Sequence, residues 1–245
     1  MKKFLYLVSA LLILFSAVRA DVYLRARSTT DPINAYGQNI PAREIISEQW
    51  IANDFYLQKN GDLTSTLYDI KKNKIYLIFH QSKSYLELTP PVDFASLLPE
   101  EMAQMAQALD QLTISVKPTG ETKTINNINC QGYKVEMSVL MSPINMKVWA
   151  SEELPFNLKS FIEKIWPEVI KLELKGNDKA MAELAKIKGL WIAYETQTQT
   201  MGLEINSRYE VVEISKKSPP PGIYSVPADY KKKDKLSMED LQGFF

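Results

Sequence analysis

The stretch at residues 63–89 constrains the fold of this chain most strongly. β-Branched and aromatic residues fill three runs, and short polar segments at 71–73 and 81–83 separate them, which is the pattern of an antiparallel meander. The middle run, residues 75–79, is apolar at both alternating positions. Such a strand has no face suited to water, so the sequence predicts a sheet that is covered on both sides or curves around apolar material.

Strand patterns continue on both sides of the meander. Asn60-Gly61 indicates a tight hairpin turn before it, and a change of apolar parity at Val211-Val212 predicts a bulge. Residues 43–59 are compatible with one long strand or a bent pair. Turns are expected at 118–120, 126–129 and 142–143. The other predicted strands are residues 21–30, 113–116, 121–125, 131–140, 145–150, 190–200, 203–215 and a short closing one at 223–227.

A first helix is predicted from Pro99, because proline suits the first turn of a helix and acidic residues follow it. Its apolar residues share one face, and its alanines keep it slim. Two interpretations stay open: a methionine-faced helix inside a curved sheet, adaptable to varied ligands, or an ordinary core helix. The residues on this face are Leu98, Met102, Met105, Leu109 and Leu112.

A second helical region is predicted from Asn157, where apolar residues recur at helical spacing. Pro167 should kink it or start a new segment, because the proline ring clashes with the preceding turn. Asn177-Asp178 indicates the start of another short helix, which Gly189 would end.

Residues 1–20 have the three parts of a secretory signal: Lys2 and Lys3, an apolar run, and small residues ending at Ala20. The apolar run is shorter than the roughly 20 residues of a spanning helix. Cleavage after Ala20 is therefore the preferred interpretation, with an uncleaved anchor as the alternative. The expected organisation is a signal peptide at 1–20, one domain at 21–230 and a polar, solvated tail at 231–245.

Charge and cysteine content fit an exported protein without disulfides. Cleavage would remove three of the 29 basic residues and none of the 29 acidic ones, which changes the net charge from 0 to −3. That balance disfavours nucleic acid as a partner. Cys130 is the only cysteine, so it has no internal disulfide partner. We expect a periplasmic or secreted mature chain that does not span the membrane.

The order of predicted elements is a strand meander, a helix, more strands, a helical region and a long hairpin. Several short motifs accompany this order, at residues 68–70 leading into 75–79, at 84–88, at 146–150 and at 222–230. In the order of elements and in these motifs, the chain resembles the lipoprotein-carrier superfamily typified by LolA and LolB, and more closely the bacterial secreted domains of unknown function near it. The resemblance covers most of residues 22–230.

The resemblance implies a fold class of α+β: a curved antiparallel sheet, or half-barrel, whose concave side is closed by helices. In the carriers that side holds acyl chains. These motifs are structural, and no position matches a carrier's lipoprotein-binding residues. Loop lengths also depart from those of the carriers.

Catalytic and metal chemistry have few candidate residues. His80 is the only histidine and ends an apolar strand with no acid or nucleophile near it in sequence. A packed histidine is preferred over a general base, and a His80–Cys130 thiolate pair is a remote alternative. One histidine and one cysteine do not make a zinc site. No catalytic residue, metal ligand or cofactor is expected, and an enzyme is not the preferred interpretation.

What remains is an apolar cavity. Tryptophans and methionines suit flexible hydrocarbon ligands, although core packing is the preferred explanation for any one of them. Trp50 and Trp191 belong to this broader aromatic set. The expected ligand-binding residues are Leu98, Met102, Met105, Leu109, Met146, Trp149, Phe161, Ile165 and Trp166.

Two functions follow from these observations. The preferred one is a binding protein that holds a lipid, acyl chain or other apolar ligand between the sheet and its helices. The alternative is an envelope interaction or sensory domain that binds a protein partner through its concave face or a sheet edge.

Overall fold

The computed structural model describes residues 20–35, 38–102, 104, 111–139, 142–174, 178–200 and 202–242. Twelve strands form one open sheet, and two short strands form a separate hairpin. The strands are β1 (Asp21–Thr30), β2 (Ile33–Ala35), β3 (Gln38–Ile40), β4 (Arg43–Ile51), β5 (Phe55–Asn60), β6 (Thr64–Asp69), β7 (Lys74–Phe79), β8 (Ser84–Leu88), β9 (Thr113–Ile125), β10 (Ile128–Val139), β11 (Ser142–Ser151), β12 (Leu190–Thr200), β13 (Leu203–Lys217) and β14 (Lys231–Lys233).

Strand β1 joins the two halves of the large sheet. The order is β14-β8-β7-β6-β5-β4-β1-β13-β12-β11-β10-β9, with β2 and β3 in the separate hairpin. Neighbours are antiparallel except β14 and β8, which are parallel. The expectation of one large antiparallel sheet accompanied by helices is confirmed.

The bulge predicted from the parity change in β13 is confirmed. Arg25 pairs with Glu213 and Ala26 with Val211, so Val212 has no opposite residue in β1. The extra residue restores the side-chain alternation on both sides of it. As a result, Val211 and Ile214 pack against the same core although their parities differ.

The meander has the predicted strands and turns. Strand β7 pairs with β6 and β8, and Asn73 and Lys83 take the positive φ values of tight turns, 51° and 47°. Both faces of β7 are covered, as expected. Leu77 lies in one buried cluster and Ile78 in another on the opposite face. Residues 43–59 form the bent pair, β4 and β5.

The two faces of the sheet carry separate cores. The larger, which we call the inner cluster, includes Leu24, Tyr56 and Leu77 and continues into the helices. The outer cluster lies on the other face and consists of Tyr23, Trp50, Leu57, Leu67 and Ile78. Adjacent residues of one strand fall into different clusters because side chains alternate between faces.

Four short α-helices occur in the described residues: α1 (Lys159–Lys164), α2 (Trp166–Leu174), α3 (Asp178–Leu184) and α4 (Met238–Gln242). The break predicted at Pro167 is confirmed, since α1 ends at Lys164 and α2 starts at Trp166. Helices α1 and α2 pack on the inner face. The rings of Phe161 and Tyr56 lie 5.2 Å apart there. None of the described helices is long and apolar enough to cross a membrane.

The predicted closing strand at 223–227 is wrong. This segment forms turns, and its side chains cover the outer cluster instead of extending the sheet. The Tyr224 ring stacks on Phe55 at 5.0 Å between centroids. Prolines 219–221 have no backbone N–H group to donate. The Ile223 N–H donates to the Pro220 carbonyl within the turn, so it is not available to a neighbouring strand.

The C-terminal segment was expected to be solvated, but its described residues are packed against the rest of the protein. Strand β14 extends the sheet beside β8. Leu236 is 2% exposed, and its amide donates to the Leu97 carbonyl at 2.9 Å. Asp240 accepts hydrogen bonds from Lys233 and from Ser237. The segment was predicted to be a solvated tail because most of its residues are polar. In the structure these polar groups bond to one another and to the sheet, and one leucine provides the apolar anchor.

The turns predicted at 118–120 and 142–143 are also wrong. Strand β9 runs through Pro118 with a register shift in its pairing to β10. Proline is tolerated there because β9 is an edge of the described sheet, where no neighbouring strand needs its amide. Ser142 and Pro143 already pair with β10.

The predicted helix at 99–112 lies mostly outside the described residues. Its beginning is a short 3-10 helix, Glu100–Met102, and a second one precedes it at Ala95–Leu97. Leu98 and Leu112 are buried in the inner cluster. The two ends of the segment therefore contact the inner face.

Candidate functional site

A cavity of about 320 Å³ lies between the inner face of the sheet and α2. We call it the inner cavity. Strands as far apart as β7 and β12, with five strands between them, contribute to its lining. Its polar side chains are Ser28, Ser47, Gln49, Gln58, Asn60, Thr66 and Tyr209, and its mainly apolar ones are Leu77, Phe94, Trp166, Val169, Leu172, Trp191 and Tyr194.

Strand alternation builds the polar wall. Gln49 lies on β4, and Gln58 and Asn60 lie on β5, all at inner-face positions. Hydrogen bonds join their side chains: the Tyr56 hydroxyl donates to Gln58 Oε1 at 2.6 Å, and Gln58 Nε2 donates to Asn60 Oδ1 at 3.3 Å. Gln49 Nε2 donates to the Tyr209 hydroxyl at 3.1 Å. These bonds hold the amides in fixed orientations.

Helix α2 and β12 build the apolar wall. The indole rings of Trp166 and Trp191 meet edge to face, 6.2 Å between centroids and 83° between planes. Trp191 in turn contacts Tyr194, whose ring stacks on Tyr209 at 4.8 Å. This chain of rings links the helix to the polar wall. Aromatic contacts of this kind fix the ring positions, which gives the cavity a defined shape.

One buried donor in the cavity wall lacks a partner. Trp166 is 7% exposed, and its Nε1 makes no hydrogen bond within the described part of the chain. Buried polar groups are usually paired, and leaving one unpaired costs about 1–3 kcal/mol. Trp50 has the same feature, but it lies on the outer face.

The inner cavity carries no formal charge among its described lining residues. The charged neighbours in sequence, Glu48 and Lys59, alternate to the outer face. Glu48 accepts a hydrogen bond there from the Tyr23 hydroxyl at 2.9 Å, and burial together with this bond raises the pKa of Tyr23 to about 12. The described lining is thus electrically neutral, and its polar groups are hydroxyls, amides and indole N–H groups.

A second, more open cavity of about 810 Å³ lies at the end of β1 beside α1. We call it the end cavity. Unlike the inner cavity, it has charged residues in its lining, namely Asp21, Lys164 and Lys216. Phe161 and Ile165 supply part of its apolar surface.

The structure divides the nine sequence-predicted ligand residues among several places. Trp166 lines the inner cavity, and Phe161 and Ile165 line the end cavity. Met146 is buried in the inner cluster and lies beneath a surface groove. Met105 and Leu109 lie outside the described residues.

The other three predicted residues pack in or against the inner cluster. Leu98 and Trp149 are buried in it, and Met102 is partly buried beside it. The Trp149 ring has Lys147 Nζ 4.9 Å from its centroid, and a Cβ atom at Gly132 would lie 3.0 Å from this ring and 2.6 Å from Thr119 Oγ1. Trp149 is therefore a packing residue.

His80 has partners that sequence proximity did not reveal. Its Nε2 is 2.8 Å from the Ser65 hydroxyl, and its Nδ1 is 2.9 Å from the Tyr230 hydroxyl. Burial, followed by the positive charge of Lys59, lowers the pKa of His80. A hydroxyl beside an imidazole is the geometry of an activated nucleophile. Ser65, however, is 4% exposed, and the cavities described above do not include it. The three residues join the sheet to the C-terminal segment.

Cys130 is buried in the inner cluster at 1% exposure. Burial raises the pKa of its thiol to about 11. A reactive thiol needs the opposite shift. In the described part of the chain, no three or more His, Cys, Asp or Glu side chains group together as metal ligands.

Sequence reasoning missed the polar wall. Gln49, Gln58 and Asn60 look like solvent-facing residues of edge or half-exposed strands, and only the pairing of β4 with β5 places them inside. A signal was present, because these polar residues alternate with Trp50 and Leu57. The sequence did not show which set of alternating residues faces inward, since both faces of these strands are covered.

No protein-family model matches this chain, and no curated protein matches it.

Proposed function

We propose that this protein is a binding protein that holds a lipid or other largely apolar molecule between the sheet and its helices. The observation that carries the proposal is the inner cavity, closed by α2 on one side and by the sheet on the other. The ligand would contact the rings of Trp166 and Trp191. The polar wall would fix its orientation, as the few polar groups of ligand pockets usually do.

The size of the cavity supports one small ligand. Its volume of about 320 Å³ lies at the lower end of the ~300–1,000 Å³ of small-molecule pockets. A single acyl chain or a compact amphiphile suits this volume better than a lipid with several chains. This favours a ligand smaller than the triacylated anchor of a lipoprotein.

The half-barrel fold of the lipoprotein carriers is part of the same proposal. It is supported by the open antiparallel sheet, by helices α1 and α2 on its inner face, and by a lining that draws on both halves of the sheet. Export to the periplasm or beyond is proposed from residues 1–20, of which residues 1–19 lie outside the described residues.

The rival proposal, a protein partner bound at a sheet edge, has less support. At the β9 edge, the outward amide of Val116 already donates to Glu183 of α3 at 3.1 Å. Pro118, two residues on, has no amide to offer. The other edge, β14, is a run of three lysines. Capped amides, proline and lysine are typical of edges that resist strand addition.

Native mass spectrometry of the exported protein, purified without detergent, tests the proposal. The expected result is a native protein whose mass exceeds that of the chain by the mass of one small molecule. Organic solvent should release this molecule, and chromatography should identify it. A protein that carries no such molecule, and that binds neither a fluorescent apolar probe nor an acyl compound, would refute it. A co-purifying polypeptide in place of a small molecule would favour the rival.

A further inference from the structure

We propose that the ligand of the inner cavity is an uncharged amphiphile. One apolar chain would pack on the α2 wall, and a neutral ester, amide or hydroxyl group would face Gln49, Gln58 and Asn60. This inference rests on the proposed function and narrows its ligand class.

The first argument is the absence of charge among the described lining residues. A carboxylate or phosphate taken into such a site loses its hydration and gains no counter-ion, so its burial is costly. Serine, threonine, glutamine and asparagine side chains both donate and accept hydrogen bonds. They match a neutral carbonyl or hydroxyl group without any charge to compensate.

The second argument is the indole N–H of Trp166. Trp166 belongs to the cavity wall, and its Nε1 is buried and has no acceptor within the described residues. A neutral oxygen on the ligand would supply the missing acceptor at little desolvation cost. Because Trp166 also provides apolar surface, one residue would contact both parts of an amphiphile.

The third argument is the contrast between the two cavities. The end cavity has Lys164 and Lys216 in its lining, so an anionic headgroup would find cations there. The described lining of the inner cavity contains no cation. A preference for neutral ligands is therefore a property of the inner cavity and not of the whole inner face.

Calorimetric titration with three probes of equal chain length tests the inference: 1-monomyristoylglycerol, myristate and myristoyl lysophosphatidylcholine. At pH 7.5 the monoglyceride should bind at least about tenfold more tightly than myristate, because the ionised carboxylate pays for desolvation. The zwitterionic probe should bind more weakly than the monoglyceride. Equal or tighter binding of myristate would overturn the inference and leave the proposed function standing.

Two matched variants locate the site. Trp166→Phe keeps an aromatic ring and removes the donor, so affinity for the monoglyceride should fall about fivefold. Trp50→Phe removes the equally unpartnered donor of the outer face and should leave the affinity unchanged. Equal effects of the two variants would overturn the assignment of Trp166. Failure of all three probes to bind would overturn both the inference and the proposed function.

Discussion

The Tyr224 hydroxyl donates a hydrogen bond of 2.6 Å to Oδ2 of Asp21, across 203 positions of sequence. Asp21 is the first residue of β1, and Tyr224 belongs to the segment that covers the outer cluster. Burial and the bond to Asp21 raise the pKa of Tyr224. The start of β1 and the segment that follows β13 are thus joined on the outer face, away from the inner cavity.

Replacing Tyr224 with phenylalanine should destabilise the protein by about 1–2 kcal/mol. The ring keeps its stacking on Phe55, but buried Asp21 loses a hydrogen-bond donor. Chemical denaturation measures the change. Tyr85→Phe is a matched control in the same region, because the Tyr85 hydroxyl has no hydrogen-bond partner in the described part of the chain. Equal stabilities of the two variants would contradict the structural role of the Asp21–Tyr224 bond.

Leu236 should be a core residue in spite of its polar surroundings. Leu236→Ala is expected to cost about 2–4 kcal/mol, as for other buried leucines. Met238, two residues on, is 59% exposed, and Met238→Ala should stay within about 0.5 kcal/mol of the parent. Thermal unfolding of both variants provides the comparison. A neutral Leu236→Ala would mean that the C-terminal segment is a solvated tail after all.

Much of the fold could be predicted because, in those parts, the sequence pattern depends only on residues that are close together in the chain. Strand β1, the β6–β8 meander and the bulge at Val212 follow from alternation and turn chemistry. The strand through Pro118 could not be predicted, because proline marks a turn unless the strand is known to be an edge. The packing of residues 223–242 was equally hidden, since it depends on a sheet face formed by residues much earlier in the chain.

The candidate site was less predictable than the fold. Trp166 was expected from helical spacing, and it lines the inner cavity. Trp149 was predicted as a lining residue because tryptophan suits apolar pockets, but it fills the core beside Gly132. A cavity is unfilled volume between residues distant in sequence, so residue type alone does not distinguish a lining tryptophan from a packed one.

Stability should fall as the pH drops from about 7.5 to 5.5, in part through His80. Its pKa is lower in the folded protein than in the unfolded chain, so the unfolded state binds more protons in this range. The stabilisation is fully present above the unfolded pKa and declines below it. Denaturant midpoints at several pH values measure this slope.

The matched variant for this prediction is His80→Gln. Between pH 7.5 and 5.5, the stability of this variant should change less with pH than that of the parent protein, whether the variant is more or less stable than the parent. The carboxylates whose pKa is lowered, such as Asp240 and Glu213, lose their contribution only at lower pH, about 4 and below. An unchanged slope between pH 7.5 and 5.5 in the variant would exclude His80 as its source.

Cys130 should be unreactive toward thiol reagents in the native state. With a pKa of about 11, roughly one thiol in a thousand is ionised at pH 8, and burial blocks access to it. Labelling with an aromatic disulfide should proceed at the rate of unfolding, and it should become fast in denaturant. Rapid labelling of the folded protein would place Cys130 at an accessible position.

The central claim, that the inner cavity holds the ligand, is tested most directly by filling it. Ser47 lies on its polar wall and is buried. Ser47→Phe should occupy the space, whereas Ser47→Ala should leave it open. The measurement is the affinity of each folded variant for 1-monomyristoylglycerol. We predict a loss of at least about tenfold for Ser47→Phe and less than about threefold for Ser47→Ala. Equal affinities in two variants that both retain cooperative unfolding would contradict the claim.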